Sequence, residues 1–372
     1  MSETTRRQFL EGAVLVGGAI VLAPTAFAAA QSTPGPALPV GPTAPYSGYQ
    51  SEIYISGMSA GVKPIFTTNL SGLEDAAAKV LSDDARRHFL AWAGGAAAAR
   101  ANSRALPAWR IVPRMFIDRA ERDLSATVLG VEMPAPIILG PVGGQALAHP
   151  DAEAATARAA AGLELTYVHS SLASTSVESV AVAAPQGSRW FGMDWPKGDN
   201  PDLAMLGRAR TAGCTHLVLS PPRRSKPWTA LDAIRRAWDG PIILSGIQTA
   251  RDAKEAVRRG FDGMVVSNER ARRGPKPVGT IDVLPEIADA VAGKVAVLFG
   301  SGVRTGPDVY RALALGADAV FISRPYVHGL ALAGEAGVRD MLRTLLAELD
   351  ITLAIAGVSS YRELDPGGLV RE

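Results

Sequence analysis

Two short segments near the C-terminal end carry the residue types best suited to chemistry. Gly300-Ser301-Gly302-Val303-Arg304 follows the apolar run Val295-Ala296-Val297-Leu298, and Ser323-Arg324-Pro325 follows Ala319-Val320-Phe321-Ile322. Small residues let backbone N–H groups close on an anion, and an arginine adds a forked cationic donor. Two such loops, with arginines at 304 and 324, suit a paired grip on a phosphoryl group. The chain is therefore expected to bind a phosphorylated cofactor or substrate.

A grip of this kind needs elements that bring the two loops together. Eight apolar runs recur roughly every 25 residues. They begin at Ile137, Leu165, Trp190, Leu217, Ile242, Met264, Val295 and Val320, and Ala-rich helical stretches separate them. Continuous apolar strands alternating with helices imply a parallel sheet covered on both faces. Eight of them imply an α/β fold of the closed (β/α)8 barrel type, a TIM barrel, with the paired loops behind strands seven and eight. Asp151–Arg158 and Thr249–Ala256 read as helices with acidic or capped starts. Ahead of the barrel, Leu73–Arg104 forms an N-terminal helical segment broken at Gly94-Gly95, and Asp123–Glu132 a short ribbon on the barrel floor. Val338–Gly357 reads as an amphipathic helix pair on the outside.

The ends and the composition bound the rest. Thr5-Arg6-Arg7-Gln8-Phe9-Leu10, the apolar stretch Ala13–Ala30 and Ala26-Phe27-Ala28 form a twin-arginine export pattern with a cleavage site. Residues 1–30 are thus expected to be a signal peptide, 31–46 a Pro-rich linker, and 47–372 one barrel domain. The expected destination is periplasmic or secreted, with no stable membrane span after cleavage; a folded export route suits a cofactor loaded beforehand. The formal net charge of +2 gives no field for nucleic acid. One cysteine, Cys214, reads as a packed thiol, and the five histidines are scattered, so no metal site is expected.

Order and spacing of several motifs then carry a resemblance. Ala148-His149-Pro150-Asp151-Ala152-Glu153, Ser170-Ser171-Leu172-Ala173-Ser174, Asp262-Gly263-Met264-Val265-Val266-Ser267-Asn268, Arg311–Val320 and the two arginine loops together resemble the FMN-dependent 2-hydroxy-acid dehydrogenases and oxidases over roughly residues 70–360. The resemblance implies FMN, its phosphate held by Ser301, Gly302, Arg304, Ser323 and Arg324. It implies a ring site formed by Pro141, Val142, Gly143 and Ser170, with Ser220 and Ser245 from strands four and five. It also implies a small carboxylate substrate and a homo-oligomer.

Several positions depart from that pattern. The histidine base of the family is Glu269 here, which reads equally as an acid–base group or as a partner of Arg270, Arg272 or Arg273. The flavin-facing lysine is Ser245, so reduced flavin is expected to be a poorer anion with a lower potential. The aspartate that supports the base is Gly300, the ring-binding glutamine is Gly192, and the two substrate tyrosines fall near Ala91-Trp92 and at Asp194. Arg272 matches the carboxylate clamp, with Arg223 and Arg224 adding charge at the mouth. The segment after strand four is short, which leaves the site more open. The expected activity is an exported FMN oxidoreductase with altered substrate or reaction; Glu269, Arg272 and Asp194 are its candidate catalytic residues. A non-catalytic flavin- or phosphometabolite-binding protein on the same barrel is the alternative, and a non-redox enzyme using Glu269 on a phosphorylated substrate a third.

Overall fold

The computed structural model describes residues 46, 48–49, 70–91, 95–117, 121–195, 202–220, 227–268 and 277–372. The expected signal peptide, nearly all of the linker, and the site candidates Glu269 and Arg272, with Arg223 and Arg224, lie outside the described residues.

Among the described residues, helices α1 (Leu73–Val80), α2 (Asp83–Ala91) and α3 (Ala96–Ala108) precede the barrel. Strand β1 (Trp109–Ile111) and the hairpin β2 (Ala126–Val128) and β3 (Val131–Met133) follow. The hairpin falls where the floor ribbon was expected. Its Ala126, Val128 and Met133 pack into the barrel interior cluster.

The barrel strands are β4 (Ile137–Leu139), β5 (Thr166–Ser170), β6 (Arg189–Met193), β7 (Leu217–Leu219), β8 (Ile242–Ile247), β9 (Gly263–Val266), β10 (Ala296–Phe299) and β11 (Ala319–Ile322). All pair in parallel, and β11 returns to β4 to close the sheet. All eight expected runs are thus strands of one barrel. The helices between them are α4 (Ala152–Ala161), α5 (Val177–Ala183), α6 (Leu203–Thr211), α7 (Asp232–Ala237), α8 (Ala250–Arg258), α9 (Thr280–Val291) and α10 (Gly306–Ala314). Thr249 caps α8, its side chain accepting from Asp252 N.

Side chains alternate along a strand with period two. Each barrel strand therefore sends at least one residue inward, from Ile138 on β4 through Trp190 on β6 to Ala319 and Phe321 on β11, and these form a separate buried cluster. Outward residues such as Ile137, Phe191 and Phe299 join the larger cluster under the helices. Cys214 is buried in that outer cluster, and burial pushes its thiol up to about 12, as befits a packed, inert cysteine.

The C-terminal helices differ from expectation. Helical structure runs from Arg324 to Ala356 (α11), and its break falls at Ala333 and Gly334, not within 338–357. The pair is therefore Arg324–Leu332 followed by one long helix. The break has a local cause: Gly334 takes φ 57° against the His149 ring, and the backbones of Gly329 and Gly337 cross in contact. The long helix also buries more than one stripe, because it packs on α1, α4 and α10. Strand β12 (Leu369–Arg371) then pairs antiparallel with β1. At the other end, Tyr46 donates its N–H to Asp350 Oδ2 (3.2 Å) and its hydroxyl to Pro134 O (3.0 Å). Asp350 is fully buried and also pairs with Arg122. Among the described residues, no helix is long and apolar enough to cross a membrane.

Candidate active site

The inward alternation continues for one more layer at the C-terminal mouth. Two positions beyond the interior residues stand Gly140, Ser170, Gly192, Ser220, Ser245, Ser267, Gly300 and Ser323, one from each strand. Backbone bonds from Gly140 N to Ile322 O, Ser220 N to Met193 O and Gly300 N to Val266 O carry the ladder out to this layer. The mouth therefore has a floor of hydroxyls and bare backbone. Packing enforces part of it. A Cβ at Gly192 would lie 2.6 Å from Pro141 Cβ, and one at Gly300 would lie 3.2 Å from Val265 Cγ1. The glutamine and aspartate of the resemblance have no space here unless those neighbours move.

At one side of this floor the loop after β10 bends sharply. Ser301 takes φ 83° and Gly302 φ 92°. Positive φ strains a serine, so it persists only when its surroundings fix it. They do: Asn268 N donates to Ser301 Oγ (3.3 Å), and Thr280 Oγ1 donates to Ser301 O (3.5 Å). Asn102 on α3 binds this assembly from below. Its Nδ2 donates to Asn268 Oδ1 (2.9 Å), Asn268 Nδ2 donates back to Asn102 Oδ1 (3.1 Å), and Thr280 N donates to the same oxygen (3.0 Å). Gly302 must be glycine, since a Cβ there would sit 2.7 Å from Asn102 Cβ.

The loop ends in Arg304. Its N–H donates to Asp308 Oδ2 (3.0 Å), the oxygen that also accepts from Thr305 N (3.2 Å) in the capping box that opens α10. Its guanidinium donates to Val303 O (2.9 Å) and lies 3.5 Å from Glu74 Oε2 on α1. Arg324, the first residue of α11, has no hydrogen bond or ion pair among the described residues. Burial, then repulsion from Arg304, pushes Arg324 down to about 10; burial likewise lowers Arg304, with Glu74 and Asp308 pulling it back up. Two half-buried guanidiniums thus have one carboxylate, Glu74, to share among the described residues.

Both line one cavity of about 810 Å³, open mouth included. Pro141, Val142, Ser245, Ser301, Gly302 and Ser323 line it too, as expected from sequence. Phe89, Asn102, Ser267 and Phe321 also line it and were missed. Ser245 Oγ and Ser267 Oγ meet across its floor at 3.5 Å. Gly143, Ser170 and Ser220 stand at the mouth outside this lining. Gly143 O bonds His88 Nε2 (3.0 Å), Ser170 Oγ accepts from Leu172 N (3.1 Å), and Ser220 is buried. Asp194, beyond β6, is half-buried and donates its N–H to Ser171 Oγ (2.9 Å); it is not in the lining either. Fully buried Glu153 ties the two loops on that side together, accepting from Gln145 N (3.2 Å), Ser174 N (2.8 Å) and Thr175 N (3.0 Å).

A barrel mouth with a half-buried pair of arginines behind its last two strands, opening onto a small-residue floor, can be set beside known proteins. The model of the FMN-dependent dehydrogenase family matches residues 77–221 and 222–371. The chain belongs to that family. It is 34% identical to the FMN-dependent alpha-hydroxy acid dehydrogenase qulF of Penicillium citrinum, over 87% of this chain and 95% of that protein. It is 35% identical to human 2-hydroxyacid oxidase 1, over 71% of this chain and 86% of that protein. A crystal structure of mandelate oxidase superposes with a TM-score of 0.74 at 33% identity, covering 82% of this chain and 99% of that one.

The residues present fit the cofactor of this family. A phosphate monoester supplies the further negative charge that two arginines with one nearby carboxylate, Glu74, can take, and the glycine-tight loop and serines supply neutral donors of the right size. Asn102 and Glu74 escaped detection from sequence. Asn102 had one weak signal, a polar residue of poor helix propensity inside an Ala-rich helix. Glu74 reads as an ordinary acidic residue in a first helical turn.

Proposed function

We propose that this protein is an exported FMN-dependent oxidoreductase acting on a small anionic substrate of the 2-hydroxy-acid type, with its substrate or reaction altered. One observation carries the reading: Arg304 and Arg324 share a single cavity, short of counter-charge, that reaches the Ser245–Ser267 floor. In it, Arg304, Arg324, Ser301, Gly302 and Ser323 hold the phosphate, and Pro141 and Val142 bound the ring site. Bound FMN supplies the two-electron acceptor.

The chain's own proton chemistry then falls to few groups. His169 is buried on the outward face of β5, stacked on Phe191, and burial pushes it down to about 4. His328 is likewise held near 4 by burial and the two arginines. Both stay neutral at ordinary pH, and neither lines the cavity; Glu269 is our candidate for the substrate proton and Arg272 for the substrate carboxylate. Asp194 is a second mouth carboxylate. Ser245 holds no charge toward the ring.

The test is the absorption spectrum of protein purified natively, followed by anaerobic addition of lactate, glycolate, mandelate and longer 2-hydroxy acids. A bound yellow chromophore that bleaches with one of them supports the reading; a colourless protein that takes up no FMN overturns it. Bound flavin that no such acid bleaches favours the second reading, a flavin-binding protein without this reaction. The motive for that reading is the uncharged floor of serines and glycines. Export is tested by Arg6→Lys with Arg7→Lys: the double variant stays in the cytoplasmic fraction if residues 1–30 act as we propose.

A further inference from the structure

The phosphate grip contains its own anion. Glu74 Oε2 lies 3.5 Å from Arg304 Nε, and the carboxylate also acts on Arg324 and His328. The other carboxylate nearby, Asp308, is committed elsewhere: it accepts from Arg304 N and Thr305 N and pairs with Arg311 at 2.9 Å. Glu74 has no second partner among the described residues, and its side chain is 45% exposed, so it is free to swing toward solvent. Its helix, α1, packs on α11, which begins at Arg324.

We propose that Glu74 is an internal competitor for the phosphate site, so that cofactor uptake exchanges a carboxylate for a phosphoryl group on Arg304. This rests on the phosphate reading above. The consequence is a higher threshold for occupancy. With Glu74 in place, the grip offers one net positive charge instead of two. A free phosphate ion gains only the grip and must still displace the carboxylate. A flavin nucleotide also gains the contacts of the rest of the cavity and displaces it readily. Glu74 therefore weakens both by a similar factor, which keeps weakly held small anions off the grip and leaves the nucleotide bound.

The test uses flavin-stripped full chain titrated with FMN, read by quenching of flavin fluorescence, with inorganic phosphate as competitor. A half-exposed ion pair is worth up to about 1 kcal/mol, a factor of up to about five. Glu74→Gln should therefore tighten FMN by about two- to fivefold. It should also make inorganic phosphate a better competitor by a similar factor, and leave riboflavin unchanged. Glu74→Ala, which leaves no amide to bond Arg304, should do the same. FMN affinity that is unchanged or weaker in both variants overturns the proposal and makes Glu74 at most an orienting partner of Arg304. Failure of the phosphate reading itself has a separate mark: Arg324→Met would then leave FMN affinity unaltered.

Discussion

Arg324 begins helix α11 half-buried beside Arg304 and, among the described residues, paired with no carboxylate. A charged hydrogen-bonding group of this kind is worth about 1.5–3 kcal/mol to its ligand. Arg324→Met should therefore weaken FMN binding roughly 10- to 100-fold, measured by fluorescence quenching, while the melting temperature of the flavin-free chain holds or rises because a strained cation is gone. Ser245 is the residue with most bearing on redox chemistry. It lies on the cavity floor against Ser267 and has no charge to give a reduced ring. Ser245→Lys should raise the midpoint potential of bound flavin by roughly 30 mV or more, the equivalent of about 1.4 kcal/mol for two electrons. Equilibration with reference dyes measures it, and an unchanged potential removes Ser245 from the ring's surroundings.

Elements rather than single residues hold the grip together, and Glu348 on α11 is where they meet. Its carboxylate accepts from Gly306 N (2.7 Å), the first residue of α10, just behind the phosphate loop. Burial pushes it from 4.5 up to about 7, with Asp308 adding to the rise. The folded chain therefore keeps a proton that the unfolded chain has released between those values. The stabilisation is complete below pH 4.5 and lost as pH rises through about 7. Glu348→Gln keeps an acceptor without the charge. Its melting temperature should match the parent near pH 4.5 and exceed it at pH 7.5, by a stability on the order of 2 kcal/mol; parallel pH profiles would contradict this. The strands were legible in sequence because eight apolar runs of strand length recur between helices, a pattern few folds share. The kink at Ala333 and Gly334 was not: Gly329, Gly334 and Gly337 are three similar glycines in one stretch, and what distinguishes Gly334, its approach to the His149 ring, involves a residue far away in the chain.

At the scale of the whole molecule, the barrel turns residues distant in sequence into one cavity. The arginine loops were legible because each is a local motif behind a strand. The supporting contacts were not, because they join separate elements: Asn102 and Asn268 stand 166 positions apart, and only the closed barrel brings α3 beneath the loop after β10. The serine–glycine floor lies between these cases. Every member is two positions past an interior residue, so it could be read once the strands were aligned by alternation. The departure at Gly192 fits that floor, since neighbouring Pro141 fills the space a side chain would need, whereas at Gly300 Val265 leaves a Cβ only tight room.

The measurement that tests the account most directly compares FMN with riboflavin on the flavin-stripped protein. The two share the ring and the ribityl chain and differ in the phosphate alone. If Arg304 and Arg324 hold that phosphate, FMN binds at least roughly 100-fold more tightly, and most of the advantage disappears in Arg324→Met. Equal affinity for the two, or an advantage untouched by that substitution, would contradict it.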